Sequence, residues 1–255
     1  MPTATRSRLP VTIAAAGDTH IGGHSHNEDA MVLRPDLNLY VLADGAGGHN
    51  AGNVASSLAT TTIAHFFEQT KVAADRLPEF DGLGLPTAAR RLSAAVQAAN
   101  KETLAFAGTS DRHRGMGSTV VAVLFDVPHR TMHLAHVGDS RCYRLRAGCL
   151  EQLTFDHSFI NDVLEMRPNL ADARVKKLPK NVITRALGMA EELRVTVRSH
   201  GMLHGDRYLL CSDGLSDFVS DPQVQEALAL AVPCDDRVAL LIQMALDAKA
   251  KDNVA

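Results

Sequence analysis

Six acidic residues stand at the ends of strand-like runs or after the last helix-like stretch. Three end apolar runs in YVLADG, HLAHVGD and RYLLCSDG, two precede a run in NEDA, and one lies in KDNVA. In that order they are Asp44, Asp139, Asp213, Glu28 with Asp29, and Asp252. A single aspartate at a strand end is usually a turn or cap residue. Carboxylates that converge at one sheet edge, however, are the ligands that Mg2+ and Mn2+ require.

Glycine follows two of these acids, Asp44 and Asp213. Without a Cβ atom, a glycine lets the backbone approach a ligand closely, so a carbonyl oxygen can join the carboxylates. The pattern therefore favours a divalent-cation site.

Other phosphate chemistries lack their required spacing. There is no GxxxxGK(S/T) loop and no strict GxGxxG after a strand, so the glycines of residues 40–52 do not predict a nucleotide loop. None of the 4 cysteines has an arginine six positions later, as a cysteine nucleophile of that type would need. GDTHIGG resembles the first block of calcineurin-type phosphoesterases, but the companion Asn-His-acid block is missing. His20, His24 and His26 could bind a borderline metal, although histidines in polar loops are more often solvated.

Composition excludes two classes of partner. The net charge is −3 and the 26 Lys and Arg residues are scattered, so no basic field for nucleic acid is expected. No apolar run reaches the roughly 18–20 residues of a membrane span, and LPVTIAAAG is too short for a signal peptide. We expect a cytoplasmic protein with no membrane partner, whose cysteines are reduced because they show no framework spacing.

Periodicity outlines the elements that must position the acids. Apolar residues recur at helical spacing over residues 50–69 and about 87–106, which predicts two helices. Strand-like runs include residues 11–16 and an antiparallel meander over residues 117–154, with a hairpin turn at Ala147 and Gly148. Helices in pairs with strand runs between them indicate an α+β layered domain.

The domain limits follow from polar stretches. Residues 1–10 are predicted to be a disordered tail, and residues 11–255 a single domain. Residues 156–181 are polar and contain Pro168 and Pro179, which predicts a small helical flap.

The ordered blocks together resemble a known family. NEDA, VLADGAGGHNAG, GSTVVAVLF, AHVGDSRCYRL, LTFDHS, ITRALG and LLCSDGLSD are similar, in order and spacing, to the metal-dependent serine/threonine protein phosphatases of type 2C in their short bacterial form. The resemblance spans roughly residues 17–253. It implies a four-layer α-β-β-α sandwich, in which two antiparallel sheets lie between antiparallel helix pairs, with two Mn2+ or Mg2+ ions in a cleft.

The resemblance also implies roles for individual residues. Asp44 would bridge the two ions, Gly45 would add its carbonyl, and Asp213 and Asp252 would bind one ion. Glu28 and Asp29 would hold metal-bound waters, and Asp139 with Asp213 would form a weaker third site. A metal-bridging hydroxide would then hydrolyse phosphoserine and phosphothreonine in proteins, without a phosphoenzyme. The partner would be a phosphoprotein, and the enzyme would oppose a serine/threonine kinase in signalling.

Three departures from the family pattern qualify this transfer. His24 occupies the position of an arginine that binds the substrate phosphate. An imidazole, which is charged only when protonated, thus replaces a guanidinium that is always charged and binds in a bidentate manner. Ala46 stands where many eukaryotic members carry a histidine proposed as general acid, and His49 belongs to the ordinary bacterial GGH. AKAKDN replaces the usual glycine pair before Asp252, and the chain lacks the β-branched strand that normally follows.

These departures keep a second hypothesis open. In it, the chain is a catalytically weak or inactive phosphoprotein-binding regulatory module on the same fold. A small-molecule phosphoesterase is a third, weaker alternative. The set of carboxylates favours catalysis, because a pure binding module has no need to hold so many acids together.

Overall fold

The computed structural model describes residues 11–47, 51–74, 78–82, 84–169, 174, 178–179 and 182–255. The predicted tail over residues 1–10, His49 and parts of the predicted flap lie outside the described residues. In chain order the elements are β1 (Asp29–Arg34), a 3₁₀ turn (Pro35–Leu37), β2 (Leu39–Ala46), α1 (Ala51–Ala74), α2 (Thr87–Ala107), β3 (Gly117–Ser118), β4 (Val120–Asp126), β5 (Thr131–Val137), β6 (Arg141–Arg146), β7 (Cys149–Gln152), α3 (Phe159–Met166), β8 (Thr196–Gly201), β9 (Arg207–Cys211), α4 (Asp213–Ser216), α5 (Asp221–Ala229) and α6 (Cys234–Asp247).

The strands form two antiparallel sheets. The first has the order β1-β2-β4-β5-β8, with β3 paired to β2, and the second has the order β7-β6-β9. The β6–β7 hairpin turns at Ala147 and Gly148, whose φ values of 50° and 81° suit a two-residue turn of the type that matches strand twist. The predicted hairpin is therefore confirmed.

Successive side chains along each strand point to opposite faces of the sheet and therefore belong to different core clusters. Val41 on β2 and Val120 on β4 face α1 and α2, and belong to one core cluster with Ile63 and Leu92. Their neighbours in the strands, such as Val121, belong to the cluster between the two sheets.

A further core cluster covers the other face of the second sheet. It joins Tyr143 of β6 and Cys211 of β9 to α4, α5 and α6. The structure confirms the expected α+β sandwich, since each sheet has helices on one face and the other sheet on the other.

The predicted helices are confirmed: α1 spans Ala51–Ala74 where residues 50–69 were predicted, and α2 spans Thr87–Ala107 where about 87–106 were predicted. The predicted single meander is wrong, because β5 and β6 belong to different sheets. The chain passes from one sheet to the other at Gly138, whose φ of 100° is readily available only to glycine. A crossover at this point brings Asp139 to the boundary between the sheets.

The predicted strand at residues 11–16 is also wrong, since the structure assigns no strand there. These residues line a cavity of about 580 Å³, together with residues of both sheets such as Leu209 of β9. Ile13 packs against the core cluster between the sheets, so side-chain packing holds the segment.

The last residues contact the second sheet and the N-terminal region. Val254 forms an antiparallel bridge with His20, and Ser212 N donates to Ala255 O at 3.1 Å. These contacts do not test whether a final strand is lacking, which stays a prediction. None of the described helices has the length and apolar character that crossing a bilayer requires.

Candidate metal centre

The register between β1 and β2 brings the first acids together. Asp29 is the cross-strand partner of Asp44, so both side chains lie on the same face of the sheet. Gly45 N donates to Glu28 O at 3.1 Å, which continues this pairing by one step. Four of the predicted site residues, Glu28, Asp29, Asp44 and Gly45, thus meet at one sheet end.

Gly45 lies at a crowded point of the chain. A Cβ atom at this position would be 2.0 Å from Gly52 O of α1 and 2.9 Å from Glu28 O. Only glycine therefore allows β2 to lie this close to both the first turn of α1 and the residue before β1.

β9 delivers the next acid from the opposite sheet. Asp213 begins α4 directly after β9, and the preceding Ser212 donates its hydroxyl proton to Asp29 Oδ2 at 2.9 Å. Ser212 is fully buried, so this bond links the two sheets in a region from which water is excluded. Asp213 lies close enough to Asp44 for its charge to raise the pKa of Asp44.

Asn253 ties the segment that carries Asp252 to the loop before β1. Its Oδ1 accepts from Glu28 N at 2.8 Å, and its Nδ2 donates to Ile21 O at 2.8 Å and to His26 O at 3.1 Å. The side chain is 3% exposed. Asp252 thus approaches the cluster from its outer side, with 47% of its own side chain exposed.

Burial and mutual repulsion raise the pKa values of the clustered aspartates. Loss of solvation raises the pKa of Asp29 to about 7, with the charges of Asp213 and Asp252 adding to the rise and the Ser212 hydrogen bond opposing it. Loss of solvation likewise raises the pKa of Asp213 to about 7. The pKa of Asp44 lies well above its usual value for the same reason, reinforced by the charges of Asp29 and Asp213. Without a counter-charge, these groups therefore favour their neutral forms.

Asp139 lies at the edge of the same cluster of aspartates. Burial raises its pKa to about 6, and its charge in turn raises the pKa values of Asp44 and Asp213. Thr119 connects this edge to β2, because its hydroxyl oxygen accepts from Asp44 N at 3.0 Å and lies 2.6 Å from Ser140 Oγ.

The donor set fits hard divalent cations. Three buried carboxylate oxygens, Glu28 Oε1, Asp29 Oδ1 and Asp213 Oδ1, have no hydrogen-bond partner among the described residues. A cation would satisfy these oxygens and remove the repulsion between them. As they stand, no three His, Cys, Asp or Glu side chains in the described ranges form a ready ligand set. Ion binding would therefore require the carboxylates to adjust.

The histidines of the preceding loop contact two of the acids. His24 Nε2 lies 3.2 Å from Asp252 Oδ1, with both side chains about half exposed, and His26 Nε2 lies 3.6 Å from Glu28 Oε1. His24 is thus beside a predicted ligand at the rim of the cluster. Ala46, at the end of β2, is exposed and carries no titratable group.

Two residues of the family blocks have structural partners. Arg141 donates to both carboxylate oxygens of Asp156. Its Nε lies 3.0 Å and its Nη2 lies 2.7 Å from Oδ2, and Nε also donates to Oδ1. His157 Nδ1 accepts from Gly138 N at 3.1 Å, and burial lowers the pKa of this histidine to about 3. Arg141 therefore forms a salt bridge within the chain and His157 anchors a loop, and neither contact involves a substrate.

Sequence reasoning missed the polar residues that hold the acids. Ser212, Thr119 and Asn253 each stand next to a residue of an acidic block or at the start of a strand, in CSD, GST and KDN. A small hydroxyl or amide residue adjoining a strand-end acid was the available signal, because such side chains satisfy backbone groups where a ladder stops.

Comparison with known proteins gives the same assignment. The Protein phosphatase 2C family profile matches residues 16–243. The chain is 36% identical over 249 residues to the serine/threonine protein phosphatase PstP of Mycobacterium tuberculosis, covering 98% of this chain and 45% of PstP. It is 30% identical to the protein phosphatase PhpP of Streptococcus pneumoniae, covering 90% of this chain and 89% of PhpP.

A solved structure agrees. The catalytic domain of PstP, in complex with two manganese ions, superposes with a TM-score of 0.77 at 36% identity, covering 94% of each chain. The chain spans less than half the length of full PstP, which it matches over its catalytic part. By sequence and by fold, the chain belongs to the protein phosphatase 2C family.

Proposed function

We propose that the protein is a Mn2+- or Mg2+-dependent phosphatase that hydrolyses phosphoserine and phosphothreonine in proteins. The observation that carries this proposal is the buried cluster of Asp29, Asp44 and Asp213, with unpartnered oxygens and pKa values raised by burial. The related serine/threonine protein phosphatase PstP, the related protein phosphatase PhpP, and the manganese ions of the PstP structure support the same activity.

Each acid has a role consistent with its position. Asp44 is central, because it neighbours Asp29 across β1 and β2 and Asp213 after β9, and so suits a bridging position between two ions. Gly45 would offer its carbonyl oxygen, and Asp252 would complete one ion's ligands from the outer side. Asp139 with Asp213 would hold a third, weaker ion.

Glu28 and Asp29 suit an outer layer that orients water. The Ser212 hydroxyl fixes one oxygen of Asp29 and leaves Oδ1 free, while Asn253 fixes the backbone of Glu28. A carboxylate held in this way can accept a proton from a water molecule without changing its own position.

Two bound divalent ions would supply a hydroxide nucleophile at neutral pH and neutralise the phosphoryl oxygens. No side-chain nucleophile is required. Cys142 and Cys211 are fully buried, and burial raises both of their pKa values, so neither offers a reactive thiolate.

His24 is proposed to contact the substrate phosphate from the rim. Its imidazole is half exposed, and its Nε2 lies 3.2 Å from Asp252 Oδ1, at the side from which a phosphate would approach the cluster. Ala46 contributes no proton, so leaving-group protonation would come from water. Opposition to a serine/threonine kinase and a cytoplasmic location are part of the same proposal.

The test is hydrolysis of p-nitrophenyl phosphate and of a phosphothreonine peptide, with Mn2+ and with EDTA. We expect Mn2+-dependent turnover that Asp44→Asn abolishes and that Asp111→Asn, a change at a side chain 89% exposed, leaves intact. Metal-independent turnover would overturn the mechanism. Absence of turnover, together with retained phosphopeptide binding, would favour the regulatory module instead.

A further inference from the structure

A second group of metal-binding residue types lies at the other end of the first sheet. β4 ends at Asp126 and β5 begins at Thr131, joined by a short turn that contains His129. The register pairs Asp126 with Thr131 and Leu124 with His133, so Asp126 and His133 project from the same face of the sheet. The sequence pattern is Asp-x2-His-x3-His.

The side chains of these residues converge. His129 Nδ1 lies 2.8 Å from both carboxylate oxygens of Asp126, and His133 Nε2 lies 4.0 Å from Asp126 Oδ2. Asp126 is 20% exposed and His129 is 47% exposed, so a solvated ion has a path to the group.

The buried member of the group lacks a partner. The His133 side chain is 1% exposed, and its Nε2 has no hydrogen-bond partner among the described residues. On the other side of the ring, Nδ1 lies 2.8 Å from Ser199 Oγ of β8. When Nδ1 donates its proton to that hydroxyl, Nε2 presents a lone pair towards Asp126, an arrangement that a cation between the two groups would stabilise.

We propose that Asp126, His129 and His133 bind a divalent transition cation, with Zn2+ as the best match, at a site separate from the carboxylate cluster. Two imidazoles with one carboxylate favour Zn2+ and similar ions, whereas the cluster around Asp44 contains oxygen donors suited to Mg2+ and Mn2+. Thr119, which contacts Asp44, directly precedes β4. Asp126 is the last residue of that strand, seven residues further on. At about 3.3 Å per residue, roughly 20 Å separates the two sites.

Neighbouring residues would orient the ligands. His129 Nε2 lies 3.3 Å from Glu79 Oε1, so Glu79 can accept the proton on that nitrogen while Nδ1 faces the ion. The Ser199 hydroxyl can likewise accept the proton on Nδ1 of His133 while Nε2 faces the ion. Hydrogen bonds from ligating histidines to such groups are the usual support of a metal site.

Formation of the site requires the ligand side chains to move. Tetrahedral Zn2+ with bonds of about 2.0–2.1 Å keeps its ligand atoms about 3.3 Å apart. The 4.0 Å gap between His133 and Asp126 would therefore close by less than an ångström. His129, which now lies in direct contact with Asp126, would instead bind the ion beside that carboxylate. These changes account for the lack of a ready ligand set among the described residues.

The test is a Co2+ titration of the full-length, Mn2+-loaded protein, followed by visible ligand-field absorption and displacement with Zn2+. We expect one equivalent of strongly absorbing Co2+ that Zn2+ displaces. His129→Ala, at an exposed position, should weaken binding at least about 10-fold, and Glu79→Gln should weaken it about 10-fold. His65→Ala is the matched control, because His65 is also exposed and lies 3.4 Å from a carboxylate oxygen of Glu68.

The same titration in the Asp44→Asn background separates the two sites. Strong absorption that survives Asp44→Asn and is lost in His129→Ala supports the proposal. An unchanged titration in His129→Ala, loss of the signal in Asp44→Asn, or no strong absorption in the wild type would overturn it. Phosphatase activity of His129→Ala should equal that of the wild type, because His129 lies far from the carboxylate cluster.

Discussion

Asn253→Ala should destabilise the protein and weaken its response to metal. The side chain is 3% exposed and makes three hydrogen bonds, to Glu28 N, Ile21 O and His26 O. Each such bond contributes about 1 kcal/mol to the free energy of unfolding, so the loss should be about 3 kcal/mol. For a chain of this size, that corresponds to a fall in Tm of roughly 6–12 °C.

The effect on metal follows from the position of Asn253. It fixes the backbone of Glu28 and holds the segment that carries Asp252 against the loop before β1. Without it, ion binding must also order these segments, and this entropic cost reduces affinity. The increase in Tm caused by saturating Mn2+ should therefore be smaller in Asn253→Ala than in the wild type.

Asn100→Ala is the matched control. Asn100 is 1% exposed, its Nδ2 donates to Ala190 O at 2.9 Å, and its Oδ1 accepts from Gly188 N at 2.9 Å. Its loss should lower Tm by a similar amount in EDTA but leave the Mn2+-induced shift unchanged. Thermal unfolding followed by circular dichroism measures both quantities. A fall in Tm of less than about 2 °C in Asn253→Ala, or equal loss of the Mn2+ shift in both variants, would refute the reasoning.

Three further predictions concern the same cluster. Gly45→Ala should lower the free energy of unfolding by about 3 kcal/mol or more and impair Mn2+ binding, because the new Cβ would lie 2.0 Å from Gly52 O; a Tm near the wild type would show that the backbone shifts freely. His24→Arg should lower KM for a phosphothreonine peptide, since arginine is always charged and bidentate; an unchanged KM would mean that position 24 does not contact phosphate. In EDTA, the free energy of unfolding should fall more, or rise less, between about pH 4 and about pH 7 in the wild type than in Asp213→Asn, because folded Asp213 retains a proton that the unfolded chain, with pKa 3.8, releases. Urea unfolding of both proteins across this range measures the two slopes, and equal slopes would contradict the raised pKa of Asp213.

The sequence was most informative where a pattern is local. The periods of α1 and α2 depend on residues a few positions apart, and the β6–β7 turn depends on Ala147 and Gly148 alone. The assignment of β5 and β6 to one meander failed because sheet membership is a non-local choice. Both strands alternate well, and only the turn at Gly138 decides that β6 joins the second sheet.

The same distinction applies to the first residues and to helix caps. Residues 11–16 have strand-like composition, yet β-propensity describes a fit to a neighbouring strand, and the structure assigns no strand to these residues. The N-cap of α5 is Ser220, which forms a reciprocal capping box with Gln223, and Asp221, which is also a typical cap residue, follows it. Either residue type suits the position, so the local sequence left the choice open.

The carboxylate cluster depends on both kinds of information. Each acid is recognisable locally, since it follows or precedes an apolar run, but their meeting depends on the β1–β2 register and on the end of β9. A one-residue slip of β1 on β2 would move Asp29 to the opposite face of the sheet from Asp44. Hydrogen bonds from Ser212 and Asn253 therefore do more than satisfy polar groups: they keep acids that repel one another in register, at a cost that a bound cation would offset.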